Sequence, residues 1–566
     1  MPPHPADDAT PSAEAVGPLE RGLAVLRVLG GPAGAAGPLR ASDLARETGL
    51  ARSTVDRIVS TLLRLGHLRG NGRDLTPAPR LMELGDAYLR CSGLPDLLGP
   101  EALRLADELD ESVSLAVPDG TGVRFVSRTA RRRTMSVAFR VGDLLPAERC
   151  APGILFAAEW QPQDHQAWLT RRQDDPGERE FPALPPRGRS ATPGDEAFAA
   201  AVAFARAHGW ALDDQVIEPG LIALAAPVRD ATGRTVCAVS VVSHSSRHSA
   251  GSLRESALDR LRATARSMEA VLRDPARAPD PAAPRSPADP ADPAGPAGPA
   301  GPADSKDELG PEFLQSLARG LAVLTALGAR RGGLALSEVA ELTGLPRATA
   351  RRSLITLTHL GYAAAEGRTF RLLPRVLELG YAPLSTLTLP ELAQPHLAQL
   401  VEQVHESASM AVLDGSDVRY VARVATVRIM HVDIAVGTRF PAHATSMGRV
   451  LLSALPPAER RACLRDVRLE PLTRHTVTSP DALGHLLDSA ARDGFALVDQ
   501  ELEEGLRSLA VPVHDRHGTV VAAVNVSTHS ALRSPEQTRE DLLPALVGAA
   551  AGIEADLAMV TAHDGR

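Results

Sequence analysis

The sequence predicts an α+β chain in which one unit of helices and antiparallel strands occurs twice. The first observation is an internal repeat: the string LERGLAVLRVLG at Leu19 returns at Leu317 as LARGLAVLTALG, with nine of twelve positions identical. The second is that each copy opens with helical patterns followed by a short hairpin pattern. The third is that the rest of each copy mixes strands with helices, which is typical of an antiparallel sheet flanked by helices.

The two copies stay in register over almost their whole length. The offset is 298 at Arg21 and Arg319 and then becomes 295, because the first copy has three more residues in an early loop. Asp214 follows Gly153 by 61 positions in the first copy, whereas Asp499 follows Gly448 by 51 positions in the second. The excess lies near QDDPGEREFPALPPRGRS, which reads as a surface loop. The chain is therefore predicted to be a tandem duplication of a unit of about 250 residues.

Two short helices around a tight turn are predicted over Leu336–Tyr362 and again over Ala41–Leu68. Gly344 can adopt the positive φ of the turn, and Pro346 suits the start of the second helix. That helix buries an apolar stripe and presents arginines and short polar residues on its other face. This is the pattern of a helix-turn-helix with its recognition helix. A hairpin with Gly-Arg at its tip follows in each copy, as expected for the wing of a winged helix.

These patterns indicate which residues are candidates for contacting DNA. Arginines can pair with guanine in the major groove, and hydroxyls and wing arginines more often hold phosphates. The candidates are Arg52, Ser53, Thr54, Arg57 and Arg73 in the first copy, and Arg347, Thr349, Arg351, Arg352 and Arg368 in the second. Asp56 stands where the second copy has Arg351, so the two helices should prefer different half-sites. The alternative is that these arginines form an ordinary solvated helix face, since Lys306 is the only lysine and arginine is the default basic residue here.

In this order the motifs resemble the IclR family of bacterial transcription regulators. The resemblance rests on RGLAVL, the TGL turn, the Gly-Arg wing, the PRLMELG and PRVLELG connectors and the strand-rich region that follows. The second copy resembles the subgroup that controls aromatic-acid breakdown through the β-ketoadipate pathway, in RIMHVDIAVGTRFPAHATSMGRVLLSALP, PLTRHTVTSP and LVDQELEEGLRSLAVPV. The resemblance implies winged-helix readers of double-stranded DNA, GAF-like effector domains, dimeric DNA binding and higher assembly through the effector domains.

A small organic acid needs backbone donors or a helix N-terminus in an otherwise apolar cavity. Thr445, Ser446, Met447 and Gly448 lie where a loop leads into a helix, so their amides are candidates. Resemblance to the family's ligand-contact positions adds Asp499, Ser508, Asn525 and Ser527. The alternative is that Ser446 only caps the helix and Asn525 only satisfies core hydrogen bonds. The first copy has apolar residues at two of these positions, which predicts that effector sensing lies mainly in the second copy.

The predicted layout has six segments. They are a polar tail (1–16), winged helix-turn-helix 1 (17–90), effector domain 1 (95–273), a Pro/Ala/Gly linker (274–311), winged helix-turn-helix 2 (312–386) and effector domain 2 (388–562). The linker is predicted to be a semi-rigid spacer. The chain can therefore pair its two copies with each other, as a pseudo-dimer, or with those of a second chain, as a homodimer.

Composition restricts the remaining function classes. The formal net charge of −8 means that any DNA-binding surface must be local, and four scattered cysteines without a CxxC pair indicate reduced thiols. No signal peptide or membrane span is predicted, so the expected location is the cytoplasm. His443, His475, His529 and Asp499 come without a catalytic or metal-binding motif, so neither an enzyme nor a cofactor or metal is predicted. A ligand-binding scaffold that does not act on DNA is the remaining alternative.

Overall fold

The computed structural model describes residues 17–131, 139–184, 193–274, 312–426, 434–465 and 469–561. These residues form two compact units, one extending to Thr386 and the other spanning Leu387–Ala562. The first unit contains both winged helices, called here head 1 and head 2, together with effector domain 1. The second unit is effector domain 2. The predicted tail and all of the predicted linker after Asp274 lie outside the described residues. The sequence also predicts a strand over residues 429–436, most of which lies outside them as well.

The elements of the first copy follow the predicted order. Head 1 contains α1 (Gly17–Gly30), α2 (Pro32–Ala35), α3 (Ala41–Thr48), α4 (Arg52–Arg64), β1 (Leu68–Asn71), β2 (Asp74–Pro77) and α5 (Met82–Ser92). Effector domain 1 contains α6 (Leu94–Leu109), β3 (Ser112–Asp119), β4 (Gly122–Thr129), β5 (Leu144–Pro146), α7 (Ala151–Ala157), α8 (Pro162–Asp174), α9 (Asp195–His208), β6 (Ala211–Asp214), β7 (Leu221–Arg229), β8 (Thr235–His244) and α10 (Ala250–Arg273).

The second copy repeats this order with small differences. Head 2 contains α11 (Gln315–Ala326), β9 (Leu334–Ala335), α12 (Leu336–Thr343), α13 (Arg347–His359), β10 (Ala363–Glu366), β11 (Thr369–Leu372) and α14 (Tyr381–Leu384). Effector domain 2 contains α15 (Leu389–Val404), β12 (Ser407–Asp414), β13 (Asp417–Val424), β14 (Arg439–Pro441), α16 (Ser446–Ala454), α17 (Pro457–Leu464), α18 (Pro480–Asp493), β15 (Ala496–Asp499), β16 (Leu506–His514), β17 (Val520–His529) and α19 (Pro535–Val560).

Both heads have the predicted winged-helix structure. The turns between the paired helices place Gly49 at φ 68° and Gly344 at φ 62°, a conformation that glycine adopts without steric cost. The wing hairpins β1–β2 and β10–β11 are antiparallel, and their tip residues Gly72 and Gly367 both have φ 60°. Pro346 is the residue just before α13 rather than its first helical residue.

The two heads pack against each other through α1 and α11. A Cβ atom at Gly22 would collide with the side chain of Leu317, and a Cβ atom at Gly320 would collide with that of Leu19. Gly22 and Gly320 are equivalent in the repeat, as are Leu19 and Leu317, so the contact is reciprocal in the way that a two-fold interface requires. Both leucines are 0% exposed, and burial of each stabilises the pair by about 1.5–3 kcal/mol.

The approximate two-fold relation is broken at the connector after the wing. In head 1 the segment PRLMELGDAYL forms one 3-10 turn and the continuous helix α5. In head 2 the matching segment is interrupted at Gly380, which has φ 109°, and only the short helix α14 follows. Helix α5 packs on this region, because a Cβ atom at Gly85 would meet Tyr381 and Leu377. The predicted helical connector is therefore confirmed in the first copy and only partly in the second.

Each effector domain is built on a six-stranded antiparallel sheet. The strand order is β5-β4-β3-β8-β7-β6 in the first and β14-β13-β12-β17-β16-β15 in the second. In effector domain 2, α15 and α19 cover one face over a core that includes Met410, Leu509 and Val524. Helices α16 and α18 cover the other face, over Ala411 and Ala523. The side chains between the sheet and α16 belong to this second layer, which contains the candidate effector site.

Helix α19 is apolar enough, by length and composition, to cross a membrane. It nevertheless lies against the sheet of effector domain 2, where Leu542, Leu546 and Ile553 are at most 2% exposed. Its N-terminus is fixed by a reciprocal capping arrangement between Ser534 and Gln537. These contacts are those of a core helix of a folded domain.

Candidate nucleic-acid interface and effector site

The recognition helices α4 and α13 each bury one face and expose the other. In α4 the buried residues include Val55, Ile58 and Leu62, and in α13 they include Leu354 and Leu357. The predicted DNA-contacting residues lie on the opposite face or at the wing tips. Arg52, Ser53, Arg57, Arg73, Arg347, Arg351, Arg352 and Arg368 are exposed, and Thr54 and Thr349 are half-buried.

The exposed faces of the two recognition helices differ in charge. In head 1, Arg52 Nε donates to Asp56 Oδ1 at 2.8 Å, one helical turn further along, and both side chains are more than half exposed. In head 2 the position of Asp56 is held by Arg351, so no carboxylate lies one turn after Arg347. Head 2 therefore presents a more strongly positive helix surface than head 1.

The helix N-terminus of the candidate effector site is capped by Thr445. Its Oγ1 accepts a hydrogen bond from the amide of Gly448 at 3.1 Å. That amide is thus already satisfied, and Gly448 allows α16 to pack closely on the preceding turn, because a Cβ atom there would collide with the backbone of Ala442. Met447 is a fully buried core residue. Of the four residues predicted at this helix start, Ser446 is the one whose polar atom remains available: its buried Oγ has no hydrogen-bond partner.

The polar residues predicted on the sheet share one face and lie side by side. Asn525 of β17 is paired with Ser409 of β12, and Ser527 is paired with Ser508 of β16. Asn525 Nδ2 donates to Ser527 Oγ at 3.1 Å, whereas the buried Asn525 Oδ1 accepts no hydrogen bond. Helix α16 crosses β12, β16 and β17 on this face. Ser446 and these strand residues therefore belong to the same layer.

Asp499 does not join this cluster. Its carboxylate accepts hydrogen bonds from Arg507 Nε at 2.9 Å and Nη2 at 3.0 Å. Arg507 is register partner to Asp499 and alternates with Ser508, so this ion pair lies on the opposite face of the sheet. Arg507 also reaches Thr538 of α19. Asp499 therefore fixes the sheet to α19 on the side away from Ser446 and Asn525.

His443 is a further candidate that sequence reasoning passed over as an ordinary histidine. It is 2% exposed, and its ring has no hydrogen bond of normal geometry to another side chain. Burial lowers the pKa of His443, and a contact with the backbone of Glu470 opposes that shift. A neutral imidazole supplies one donor and one acceptor. A buried histidine ring with so little hydrogen bonding is unusual.

A buried ion pair between Arg449 and Glu501 stabilises the layer that contains Ser446 and Asn525. Arg449 Nη2 lies 2.5 Å from Glu501 Oε2, and Arg449 Nε donates to the carbonyl of His443 at 3.0 Å. Glu501 Oε2 also accepts from the amide of Val477 at 3.0 Å. Thr476 Oγ1 donates to the Glu501 carbonyl at 2.6 Å. The segments PLTRHTVTSP and LVDQELEEGL are thereby held together beside α16.

The matching polar side chains of effector domain 1 are hydrogen-bonded to one another or to neighbours. Ser114 and Ser240 hydrogen-bond to each other at 2.9 Å, where effector domain 2 has Ser409 and Asn525. Glu148, in the position of His443, accepts from Trp168 Nε1 at 3.0 Å and from Arg171 Nη2 at 2.7 Å. A cavity with a volume of about 10 Å³ lies beside this serine pair, lined by Ser112, Val113, Ser114, Phe125, Arg128, Phe139 and Val242. That volume holds about one water molecule.

Asp213 gives effector domain 1 a distinctive pH dependence. Burial raises the pKa of Asp213 to about 7, although its carboxylate accepts from the amide of Val216 at 2.8 Å. The unfolded chain loses this proton near its ordinary pKa of about 3.9, whereas the folded domain keeps it up to about 7. Stability therefore falls as the pH rises from about 4 to 7, because the folded state binds more protons there.

We expect Asp213→Asn to remove this contribution and to stabilise the domain increasingly, relative to the natural chain, from about pH 4 to pH 7. The chain has three tryptophans, Trp160, Trp168 and Trp210, all in effector domain 1, so urea unfolding followed by tryptophan fluorescence reports on this domain. Asp259→Asn, at an exposed position of α10, is the control and should leave the profile unchanged. If the stability of the natural chain and that of Asp213→Asn change with pH in the same way, the raised pKa of Asp213 is contradicted.

The described residues contain no group of three or more His, Cys, Asp or Glu side chains placed to hold a metal ion. His475 is exposed, and His529 Nδ1 accepts from the amide of Ala531 at 3.2 Å. Asp499 is paired with Arg507. The carboxylate and the histidines that could be imagined as a catalytic cluster therefore lie in separate environments. The four cysteines are unbridged, and burial raises the pKa of Cys237 to about 12.

Two winged-helix heads with exposed arginines, each followed by an α+β domain, define the class of helix-turn-helix regulators with a separate regulatory domain. Family comparison agrees. The helix-turn-helix domain of IclR matches residues 18–72 and 316–367, and the C-terminal domain of the bacterial transcriptional regulator IclR matches residues 87–270 and 381–555. The chain belongs to the IclR family of bacterial transcriptional regulators, with the whole unit present twice.

In each of the following similar proteins the match covers most of that protein and less than half of this chain. The Pca regulon regulatory protein of Pseudomonas putida is 46% identical over 240 residues, which are 42% of this chain and 82% of that protein. The p-hydroxybenzoate hydroxylase transcriptional activator of Acinetobacter baylyi is 36% identical over 248 residues, 43% of this chain and 92% of that protein. Among solved structures, an IclR homolog from Microbacterium hydrocarbonoxydans complexed with 4-hydroxybenzoate is 30% identical, covers 43% of this chain and 98% of its own, and has a TM-score of 0.28.

Proposed function

We propose that this chain is a cytoplasmic transcription regulator whose two heads bind operator DNA and whose effector domain 2 binds a small aromatic or dicarboxylic acid that alters that binding. The observation that carries the proposal is the contrast between the two effector domains. Polar atoms buried between sheet and helix remain without partners in the second domain, at Ser446 and Asn525. At the same two positions the first domain has Ala151 and Ser240, and Ser240 is hydrogen-bonded to Ser114.

An unsatisfied buried polar group costs about 1–3 kcal/mol, which a ligand with matching groups would recover. The Ser446 hydroxyl can donate to a carboxylate, and Asn525 Oδ1 can accept from a hydroxyl. Tyr420 and Phe440 are T-shaped at 5.7 Å on the same side of the sheet and offer an aromatic wall. A hydroxylated aromatic acid combines these features, and the names of the Pca and p-hydroxybenzoate relatives support the same class.

For DNA, we propose that Arg52, Ser53, Thr54, Arg57, Arg347, Thr349, Arg351 and Arg352 face the major groove and that Arg73 and Arg368 reach the flanking backbone. Because arginine–phosphate contacts release counterions, the affinity should fall steeply with salt. The test is fluorescence anisotropy of the full chain with promoter duplexes from around its own gene, across a salt series. A steep decline with salt supports the proposal, and the absence of binding to any duplex, with the chain folded, favours the scaffold alternative.

We expect Asn525→Ser and Ser446→Ala each to weaken the binding of an aromatic acid by about ten-fold, because each loses one buried hydrogen bond to the ligand. Asn525→Ser introduces the residue that effector domain 1 has there, and Ser446→Ala does the same. Calorimetric titration of the full chain with protocatechuate, 4-hydroxybenzoate and β-ketoadipate measures the effect. Ser240→Ala in effector domain 1 is the matched control and should bind like the natural chain.

If both variants release the same heat on titration as the natural chain, the ligand binds elsewhere in the chain. Silence of the natural, folded chain across all three acids would reject this class of effector. The residues Thr445, Ser508 and Ser527 are proposed to shape the same site, whereas Met447, Gly448 and Asp499 are proposed to support it through packing and the Arg507 ion pair.

A further inference from the structure

Head pairing within one chain has a consequence for the DNA that the chain can read. In helix-turn-helix dimers, operator symmetry mirrors protein symmetry, so two identical heads related by a two-fold axis bind a palindrome. Here the contacts between Leu19 and Gly320 and between Leu317 and Gly22 supply the two-fold arrangement inside a single polypeptide. The backbone amide of Leu314 also donates to Thr61 Oγ1 of α4 at 2.9 Å, which ties the start of head 2 to the recognition helix of head 1.

The two heads placed in this arrangement are not identical where they would meet bases. Head 1 presents Asp56, whose carboxylate engages Arg52 at 2.8 Å, and head 2 presents Arg351 at the same helical position. A carboxylate can accept from the amino group of cytosine, whereas an arginine pairs with guanine. Ser53 of head 1 is further replaced by Ala348 in head 2, which removes a hydroxyl. The two-fold relation is thus kept where α1 packs on α11, and it is broken at the surfaces that would meet bases.

We propose that a single chain is a complete operator reader and that its operator is not palindromic, with one half-site for head 1 and a different half-site for head 2. This inference rests on the proposed DNA-binding function. Because head 1 and head 2 occupy fixed places in one chain, such an operator also has a direction. A homodimeric regulator with one head per chain reads the same sequence on either strand, but this chain distinguishes the two orientations.

The inference is tested by selecting duplexes from a random pool with the full chain and then measuring three designed duplexes: the selected site and the two palindromes made from each of its halves. We expect the selected site to contain two different half-sites. Each palindrome should bind more weakly than the selected site, by about 5- to 150-fold for each mismatched arginine contact. We also expect one chain per selected site by native mass spectrometry. Selection of a palindrome, or two chains bridging one pair of half-sites, overturns the inference while leaving DNA binding in place. A pool from which nothing is enriched rejects the DNA-binding function itself, and this inference with it.

A charge substitution at the reading surface gives an independent readout. Asp56→Arg gives head 1 the arginine that head 2 has at this position, so the ratio of affinities should move toward the palindrome made from the head 2 half-site, by about 5- to 150-fold. Glu47→Arg is the matched control, because Glu47 is an exposed acid on α3 of the same head and the change in charge is equal. The control should raise the affinity for all three duplexes without altering their ratio. If Asp56→Arg and Glu47→Arg give the same ratio of affinities for the three duplexes, the proposed role of Asp56 is overturned.

Discussion

Gly22→Leu is expected to lower the affinity of the full chain for its operator by at least about 100-fold, because simultaneous engagement of two linked heads contributes roughly 10²- to 10⁴-fold. The substitution is aimed at the contact between the two heads. The nearest atoms to a Cβ at Gly22 all belong to Leu317 of head 2, so the added side chain strikes the other head rather than its own. Within α1 itself, leucine is a better helix former than glycine by close to 1 kcal/mol.

Two further variants, Gly320→Leu and Gly99→Leu, test this expectation. Gly320→Leu should have the same effect, since it strikes Leu19 from the other side of the interface. Gly99→Leu, in α6, is the control because a Cβ there has no atom within 4 Å, and it should bind DNA like the natural chain. Affinity is measured by anisotropy, with circular dichroism verifying that helix content is retained. Unchanged affinity in both interface variants would show that the heads bind DNA without being paired in this way.

Arg449→Ile is expected to destabilise effector domain 2 by about 3–5 kcal/mol, because it leaves the carboxylate of Glu501 buried without its counter-charge. Arg449 is 2% exposed and Glu501 is 7% exposed. Effector domain 1 suggests the compensating change, since its residues at these two positions are Ile154 and Val216. The double variant Arg449→Ile, Glu501→Val should therefore recover most of the loss, because an apolar pair can replace a buried ion pair at little cost.

Hydrogen exchange resolved by mass spectrometry suits this test, because it reports local stability and the tryptophans lie only in effector domain 1. Peptides from β15, β16 and β17 should exchange faster in the single variant and near the natural rate in the double variant. Peptides from effector domain 1 serve as the internal control. A double variant as unstable as the single one would mean that Arg449 and Glu501 act separately rather than as a pair.

The elements that sequence predicted well are those with strong local signals. Gly344 and Gly367 lie at the turn and wing tip where their positive φ was required, and the apolar spacing of α13 fixed its buried face. Helix α19 was missed because its apolar residues surround the whole helix and leave no amphipathic period. The short strands β14 and β15 were missed because three or four residues carry too little alternation to be recognised.

The candidate effector site was predicted only in part, because its residues come from separate segments. Alternation along β17 predicts that Asn525 and Ser527 share one face, and the strand pairing of the structure places Ser508 beside Ser527. The sequence could not show that Thr445 rather than Ser446 caps α16, since both hydroxyls can cap a helix. His443 offered one usable signal: its equivalent, Glu148, is also polar within an apolar stretch, so the position is polar in both copies.

Head pairing lay beyond sequence reasoning for a different reason. Leu19 and Gly22 recur as Leu317 and Gly320, so the same surface is compatible with pairing inside one chain and with pairing between two chains. Only the structure places Leu317 against Gly22 of the same chain. The charge difference between Asp56 and Arg351 was visible from the sequence, but its meaning for operator symmetry depends on that pairing.

The most direct measurement is the affinity of the full chain for its selected operator, with and without a saturating aromatic acid such as protocatechuate, in parallel for the natural chain and Asn525→Ser. A ligand can change DNA affinity only through its differential affinity for the two conformational states. We expect the acid to change the affinity of the natural chain for the operator by about 5-fold or more. We expect a much smaller change for Asn525→Ser, whose affinity without acid should equal that of the natural chain. An identical affinity with and without each acid, in a chain that binds both DNA and acid, would contradict the proposed coupling of effector binding to DNA binding.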